Sequence, residues 1–441
     1  MKIIRETVES YRKLILEAER YVWQNPETGY KEIKTSSYMA EKFRELGYDI
    51  TLADGITGFY TVVDTGRAGP EILVLAELDS VICPAHPEAD KTTGAVHSCG
   101  HNAQCAALLG VAAALKNEKI LEGLSGRIRL CAVPAEELLE IEYRSELRRL
   151  GKIKYFGGKS EFLSRGYFDG VDMAFMMHAS HHFAATPGAV GCIAKNVIYK
   201  GKAAHAGGAP WAGKNALYAA SCGLNAVNAI RETFKDSDLI RVHPIITSGG
   251  SMVNAIPEEV RIESYVRGKT NEAIDAANEK VNRAFIGAAY SIGTNVEIID
   301  APGYSPLKND KKLLALAKVA LQLSLPEEEL FLGEEFSTGS TDMGDLSMIM
   351  PVIHPYAGGA VGTSHGKDYY INEPEKATVK SAVWQVALLK MLLENGALRA
   401  KEIIESYSPE FKSKEEFLRY QDSKWTSGDR ITYREDGAEI I

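Results

Sequence analysis

Apolar side chains recur at helical spacing along the first fifty residues. In residues 4–22 they fall on one face of a helix, and the segment SSYMAEKFRELG repeats the pattern before Gly47, a residue typical of helix ends. The positions in the first segment are Val8, Tyr11, Leu14, Ile15, Ala18, Tyr21 and Val22. The pattern therefore predicts two helices at the start of the chain.

Farther along, short apolar runs typical of buried strands alternate with a helical segment. The predicted strands are GFYTVVDT, EILVLAELD, GRIRLCAVPAEE and VDMAFMMHAS, and NAQCAALLGVAAALKNEKI is the helix between the second and the third. A helix between two strands is typical of parallel neighbours, because the chain must cross back over the sheet. We expect an α/β fold with a mostly parallel central sheet flanked by helices.

The order of elements changes between residues 191 and 301. Predicted strands and helices there follow the order β-α-β-β-α-β, which is typical of a ferredoxin-like unit. After APGYSPL the helix and strand alternation resumes. We therefore predict a discontinuous main domain of residues 1–190 and 302–441, interrupted by an inserted ferredoxin-like α+β domain of residues 191–301. Residues beyond about 399 are charged and weakly periodic, which predicts a surface appendage.

The composition of the chain disfavours some classes of binding partner. The 441 residues carry a formal net charge of −9, which disfavours a nucleic-acid partner, because such binders need clustered cations. The charged start lacks the apolar core of a signal peptide, and no apolar run reaches the roughly 18 residues of a membrane span. These features favour a cytoplasmic protein with no membrane partner. Of six irregularly spaced cysteines, Cys105 and Cys222 lie on apolar helix faces and are expected in the core.

Residues able to bind metal follow the predicted strands. Each is a weak signal alone, since a histidine at a strand end is commonly structural. Open α/β sheets, however, place their ligands at the carboxyl ends of the strands. These side chains are therefore expected to converge at one edge of the sheet: Asp79, Cys99, His101, Glu136, Glu137, His178 and His365.

This set of side chains is suited to divalent transition metals. Thiolate, imidazole and carboxylate donors together favour zinc or manganese. Five donors exceed the needs of one tetrahedral ion, so two divalent ions with Cys99 as the bridge are plausible, and they would lower the pKa of a bound water. The five candidate ligands are Cys99, His101, Glu137, His178 and His365.

The two adjacent glutamates are expected to have different tasks. Neighbouring residues in an extended chain point in opposite directions, so Glu136 and Glu137 cannot both ligate one ion equally. One carboxylate can bind metal while the other takes the proton from the activated water and passes it to the leaving nitrogen.

Several segments appear in the order seen in a known family. They are CGHNAQ, VPAEE, MMHAS, GKAAHAGGAP, NAIPEEVRIESYVRG and GSTDMGDLS. Together they resemble the aminoacylase and carboxypeptidase metallopeptidases, in the amidohydrolase branch that includes hippurate hydrolases and indole-acetyl amino acid hydrolases. Within that branch, AELD, GHN and GSTDMGDLS are most similar to p-aminobenzoyl-glutamate hydrolase and dipeptidase-like relatives. The likeness covers the chain to about residue 395.

The resemblance implies a dinuclear hydrolase of amide bonds that forms a homodimer through the inserted domain. It implies the same five ligands, with Glu136 as general base and acid and Asp79 orienting a ligand. By the same resemblance, His205 reaches the neighbouring subunit's site and steadies the oxyanion. Asn254 and Arg267 would contact a substrate carboxylate, although a surface ion pair is an alternative for Arg267.

Some segments depart from the family pattern. The proline expected after the turn at Asp79 is absent, and the insertion EIEYRSELRRLGKIKY, residues 140–155, is expected to shape the pocket mouth or a subunit contact. His365 lies in a poor match to the family's last ligand motif. His354 is its rival, although VIHPYA is more typical of a structural histidine.

The sequence thus predicts a metal-dependent amidohydrolase that cleaves N-acyl or N-aroyl amino acids or small dipeptides with a metal-activated water. Two alternatives stay open at this point. One is a metal-dependent deaminase, or another carbon-nitrogen hydrolase, acting on an aromatic amine. The other is a catalytically silent subunit that keeps the fold.

Overall fold

Three helices, rather than two, open the chain in the computed structural model, which describes residues 1–434 and 437–441. They span Lys2–Ser10, Arg12–Gln24 and Ile33–Glu45. The predicted first helix is interrupted at Tyr11, where the Ser10 hydroxyl donates to the Thr7 carbonyl oxygen at 2.6 Å. A side chain that bonds to the backbone in this way competes with helix propagation.

A six-stranded sheet forms the centre of the main domain. Its order is Thr51–Leu52, Phe59–Asp64, Arg127–Val133, Glu71–Glu77, Met173–Phe175 and Val352–Ile353. The last four strands are mutually parallel, whereas the first two are joined to the sheet by antiparallel pairing. Every residue of Glu71–Glu77 is buried, as expected for a parallel strand covered by helices on both faces. The predicted α/β fold with a mostly parallel sheet is confirmed.

The remaining helices of the main domain flank this sheet. The helix His101–Ala114 is buried along its whole length and packs against the strand Glu71–Glu77. The others are Glu118–Leu121, Ile141–Arg149, Gly158–Ser164, Lys311–Ser324, Met343–Leu346, Ser381–Ser406 and Lys414–Ser423, with a π-helical turn at Glu375–Lys380. The helix Ser381–Ser406 is broken by non-helical residues 394–397.

Short strand pairs close the loops around the carboxyl edge of the sheet. One four-stranded group has the order Phe331–Leu332, Ala184–Ala185, Tyr356–Ala357 and His178–Ala179. The two-stranded pairs are Val81–Ile82 with Ala95–Val96, Gly188–Ala189 with Leu307–Lys308, and Ala360–Val361 with Tyr370–Ile371.

The inserted domain is built on an antiparallel sheet. Its order is Arg241–Val242, Glu259–Gly268, Gly191–Lys200 and Asn295–Tyr304, and Ile245–Ser248 also pairs with Glu259–Gly268. The helices Ala216–Ile230 and Asn271–Ile292 pack against this sheet. This is the ferredoxin-like arrangement. Because the strand Asn295–Tyr304 continues past residue 301, the exact domain boundary stays a prediction.

The described residues contain no helix whose length and apolar character would allow it to span a bilayer. The six cysteines are all free thiols. Cys105 is buried, as predicted, but the prediction for Cys222 is wrong, because its position on the helix Ala216–Ile230 is exposed.

The C-terminal segment is not a surface appendage, so that prediction is wrong as well. The helix Lys414–Ser423 buries Phe417 completely in a core cluster with Leu346 and Met348. The strand Ile431–Arg434, paired antiparallel with Gly437–Ile440, then places Ile431 in the core of the inserted domain. Widely spaced single anchors in a charged segment leave no hydrophobic period, which is why the sequence pattern did not reveal this packing.

We expect Phe417→Ala to destabilise the protein by about 3 to 5 kcal/mol, because it leaves a cavity in a closed core. The shift of the guanidinium unfolding midpoint measures this. Leu398→Ala, at a position that is 59% exposed, is the matched control and should change little. An equally small effect at Phe417 would mean that the segment adds nothing to the stability of the core.

Candidate active site

A left-handed glycine delivers two candidate ligands to the edge of the sheet. Gly100 has φ of 101°, and a Cβ there would lie 2.5 Å from the Tyr369 hydroxyl. Glycine is the residue that meets both demands, the positive φ and the close approach. The sharp turn places Cys99 just before the buried helix His101–Ala114 and His101 at its first position.

The five predicted ligands lie together in two groups that share one sulfur atom. One group contains Cys99, His101 and His178, and the other contains Cys99, Glu137 and His365. Within each group the ligand atoms lie within 4.8 Å of one another. The Cys99 Sγ is 3.4 Å from Nε2 of His178 and 3.4 Å from Nε2 of His365, and the latter nitrogen is 3.1 Å from Glu137 Oε1.

Hydrogen bonds orient the two imidazoles of the first group. The Nδ1 atom of His101 donates to the Asp79 carbonyl oxygen at 2.9 Å, and that of His178 donates to the Ala179 carbonyl oxygen at 2.8 Å. In each ring the Nε2 atom is therefore the nitrogen left for a ligand contact, and that of His178 lies 3.4 Å from Cys99 Sγ. Among the described residues, Nε2 of His101 makes no hydrogen bond, although Glu77 Oε2 lies 3.2 Å from it, and a buried ring nitrogen in this situation can bind a metal.

Asp79 contacts both donor groups. Its Oδ1 lies 3.2 Å from Nδ1 of His101, and its Oδ2 accepts the backbone N–H of Glu137 at 2.8 Å. The side chain is fully buried. A carboxylate with these contacts can orient both neighbours, because partners behind the ligands fix ring orientation in metal sites.

Glu136 and Glu137 have opposite electrostatic environments. Burial raises the pKa of Glu136 well above its usual value, and the carboxylates of Glu77 and Glu137 raise it further. Burial also opposes ionisation of Glu137, but the adjacent His365 outweighs it and lowers the pKa of Glu137 to about 2. Two neighbouring carboxylates with pKa values pushed apart are typical of a division between proton carrier and anionic ligand.

The Cys99 thiol has the electrostatics of a ligand. Burial and the Glu137 carboxylate oppose its ionisation, but His178 and His101 outweigh them and lower the pKa of Cys99 to about 6. A thiolate is the form in which cysteine binds metal.

A cavity of about 420 Å³ opens over these groups. Its lining includes Cys99, Glu136, Glu137, His178 and His365. Other lining residues come from both domains, among them Leu138, Leu139, Tyr265, Arg267, Tyr304 and Ser340. A substrate held there would touch the two donor groups and the inserted domain at once.

His354, the rival of His365, belongs to neither donor group. Its ring centroid is 5.5 Å from that of His178, and both its ring nitrogens lack a hydrogen-bond partner among the described residues. Burial and the nearby His178 lower its pKa to about 3. His354 therefore lies in the cavity wall as a neutral ring, whereas His365 reaches Cys99 and Glu137.

Of the three residues predicted on the inserted domain, Arg267 lies at this cavity and donates to the Ser340 hydroxyl at 3.0 Å. His205 is exposed, and its Nδ1 accepts the N–H of Gly208 at 2.8 Å. Asn254 neighbours His205, since its carbonyl oxygen accepts the N–H of Ala206. Neither His205 nor Asn254 is among the cavity-lining residues of the described chain.

The insertion at 140–155 supports the two glutamates from behind. It forms the helix Ile141–Arg149, and its buried Arg144 donates to the carbonyl oxygens of Phe156 and Glu137. Glu142 on this helix lies 2.7 Å from Arg261 of the inserted domain. The insertion thus braces the loop after Val133 and contacts the second domain within one chain.

Three buried charged residues behind the site were missed from the sequence. The Nζ atom of Lys159 lies 2.5 Å from Glu77 Oε1 and contacts Asp342 Oδ1. Glu77 and Asp342 occur in AELD and GSTDMGDLS, segments that match the family, but no pattern assigned either carboxylate a contact. Lys159 carries no sequence signal beyond the two glycines before it.

Comparison with known proteins decides the family. The family model for peptidase family M20/M25/M40 matches residues 73–390, well over half of the chain. This chain belongs to peptidase family M20/M25/M40. The predicted resemblance to the aminoacylase and carboxypeptidase metallopeptidases is thereby confirmed. As an M20 family member, the chain is a hydrolase of amide bonds.

Curated relatives of the M20 chain differ in substrate. This chain is 29% identical over 354 residues to Xaa-Arg dipeptidase of Mus musculus, and the match covers 76% of this chain and 74% of that protein. It is 26% identical over 306 residues to one of the p-aminobenzoyl-glutamate hydrolase subunits of Escherichia coli strain K12, covering 67% of this chain and 59% of that protein.

Solved structures show the same fold at lower identity. A Bacillus subtilis protein described as a dinuclear metal binding peptidase from the M20 family superposes with a TM-score of 0.63 at 21% identity. The match covers 87% of this chain and 99% of that chain.

We expect Cys99→Ser to lower the amount of metal bound per chain, because the two donor groups share its sulfur. Elemental analysis after dialysis against metal-free buffer measures this. Cys222→Ser, at an exposed thiol, is the control and should keep the wild-type content. Wild-type metal content in Cys99→Ser would show that the sulfur is not a ligand.

Proposed function

We propose that this M20 hydrolase cleaves the amide bond of N-acyl or N-aroyl amino acids, or of small dipeptides, that carry a free carboxylate. Two divalent ions, zinc or manganese, assist the reaction and are held by Cys99, His101, Glu137, His178 and His365. The observation that supports this most directly is the pair of three-donor groups sharing Cys99 beside the protonatable Glu136. The dinuclear description of a solved M20 peptidase agrees with it.

The donor set favours these metals. Sulfur, nitrogen and oxygen donors in one site suit zinc and manganese better than magnesium or calcium, which prefer oxygen alone. When bound, a pair of such ions supplies Lewis acidity to the amide carbonyl and to a water molecule. The chain contributes the orientation of the ligands, through Asp79 and the carbonyl oxygens that hold each imidazole.

Glu136 serves as the proton carrier. Its Oε2 lies 3.8 Å from Nε2 of His101, and its backbone carbonyl oxygen accepts the hydroxyl of Tyr304. A carboxylate in this position can take a proton from the attacking water and return it to the leaving nitrogen. Burial and the neighbouring carboxylates raise its pKa, so Glu136 takes up a proton more readily than an ordinary carboxylate does, as a group that receives one from water must.

Arg267 is the group proposed to hold the substrate carboxylate. It lies on the strand Glu259–Gly268 and faces the same cavity as the two donor groups. No carboxylate lies within ion-pair distance of its guanidinium in the described part of the chain, so the surface ion pair considered from the sequence is not formed there. A guanidinium can bind a carboxylate through two hydrogen bonds.

A homodimer through the inserted domain is also part of the proposal. Large apolar side chains are exposed on this domain, and a concentration of such surface is typical of an interaction site. The exposed residues are Trp211, Tyr218, Ile245, Met252 and Val253, with Val253 fully exposed. Every residue of the strand Ile245–Ser248 is also exposed. A second copy would cover this surface and carry His205, which pairs with Ala255 beside it, toward the partner's cavity.

The cysteine chemistry supports a cytoplasmic location. All six thiols are free, and the proposed site needs Cys99 reduced. A reducing compartment maintains that state, whereas an oxidising one favours disulfides.

We expect Glu136→Gln to keep metal binding but to lower kcat about 100- to 10,000-fold, because the amide cannot carry the proton. The assay follows amino acid release from a panel of acyl amino acids and dipeptides, with metal content measured in parallel. Ammonia release from aryl amines, without amino acid release, would favour the deaminase alternative. Retained turnover in Glu136→Gln would remove the residue from this role.

The proposed contribution of His205 to the neighbouring site has a direct test. His205→Ala and Glu136→Gln should each be nearly inactive, yet a mixed dimer has one site with both groups intact. Purified through two different tags, it should recover about half of the wild-type rate. A mixed dimer as inactive as its parents would contradict the action of His205 across the interface.

A further inference from the structure

We propose that Lys159 is a positioning residue for the metal centre, whose buried ammonium group holds the Glu77 carboxylate against His101. This inference rests on the metal site proposed above, but it concerns residues that neither the sequence motifs nor that proposal assigns. It joins three chain segments behind the site into one charged unit.

The first support is the placement of Lys159. It lies in the first turn of the helix Gly158–Ser164, and its side chain is fully buried. The Nζ atom is 2.5 Å from Glu77 Oε1 and also contacts Asp342 Oδ1, while the backbone N–H of Lys159 donates to Asp342 Oδ2 at 2.9 Å. A buried ammonium with two carboxyl partners is compensated, and removing it would leave both buried groups without their cation.

The second support is what Glu77 does with its other oxygen. Glu77 Oε2 lies 3.2 Å from Nε2 of His101, the ring nitrogen that is not bonded to the Asp79 carbonyl oxygen, and it accepts the side-chain N–H of Gln104 at 3.0 Å. With Oε1 held by the lysine and Oε2 by the glutamine, the carboxylate cannot rotate. Glu77, His101 and Glu136 also form a third group of closely placed donor atoms.

The physical consequence follows from these contacts. Glu77 stands beside a ligand nitrogen and beside the proton carrier, so its orientation decides where negative charge lies around both. Lys159 occupies one oxygen and thereby leaves a single oxygen on the side of His101. Without the ammonium, Glu77 and Asp342 would repel each other across the same small space, and Glu77 would be free to turn toward the metal side.

The test compares Lys159→Met with Lys195→Met. Lys195 is a matched control, because it is also fully buried and its Nζ contacts Asp300 and Asn282, but in the inserted domain away from the donor groups. Both variants lose a buried ion pair and should unfold at lower temperature. Lys159→Met should bind Mn²⁺ or Zn²⁺ about 10- to 100-fold more weakly in titrations of the metal-free protein. Its kcat should fall more than 10-fold at saturating metal with KM nearly unchanged, since the substrate contacts remain.

Lys195→Met, per folded protein, should match the wild type in metal affinity and kcat. Lys159→Arg, which keeps a cation, should recover part of the metal affinity. If Lys159→Met does not fold, Lys159→Met/Asp342→Asn removes one charge of each sign and should show the same loss of metal affinity.

A Lys159→Met protein that is only less stable, with wild-type metal affinity and kcat, would overturn the proposal, because a merely structural ion pair behaves as Lys195 does. The metal titration needs no substrate, so it separates this inference from the proposed reaction. A wild-type protein that binds two ions but hydrolyses no acyl amino acid or dipeptide would refute the proposed substrate. The metal affinity of Lys159→Met would then still confirm or overturn the role of Lys159.

Discussion

The sulfur of Cys99 lies within 3.4 Å of imidazole nitrogens from two distant parts of the chain, His178 and His365. Both three-donor groups depend on this atom, because each is completed only by the shared sulfur. Its position in turn depends on the left-handed turn at Gly100, where a side chain would collide with Tyr369. The position of the shared donor is thus fixed by one backbone conformation.

So many ionisable groups can be buried together only when their charges offset one another. Burial alone would disfavour the ionised form of every carboxyl group. Nevertheless, His365 keeps Glu137 as an anion, and Lys159 does the same for Glu77. Around Glu136 the carboxylates of Glu77 and Glu137 add to the effect of burial, and its pKa rises accordingly. The balance between burial and neighbouring charge therefore gives three glutamates different tasks: Glu137 is a proposed ligand, Glu77 an orienting anion and Glu136 a proton carrier.

The chain adds its own supports to the family fold. The family match ends at residue 390, but the C-terminal segment continues across both domains. Asp422 pairs with Lys154 of the insertion at 2.9 Å, and Lys424 pairs with Asp275 of the inserted domain. Insertion and C-terminal segment together connect the cavity wall to the ferredoxin-like sheet, which carries Arg267.

The sequence by itself determined the α/β class, the ferredoxin-like order of the insert and the ligand candidates, because each follows from local periodicity or from side chains at fixed positions in short motifs. It could not determine the Lys159 pairing with Glu77, the burial of Phe417 or the exposure of Cys222. Those depend on contacts between segments far apart along the chain, and a single buried anchor or ion pair leaves no repeating pattern. Only the tertiary structure brings such residues together, since the closeness of two side chains is set by how whole elements pack.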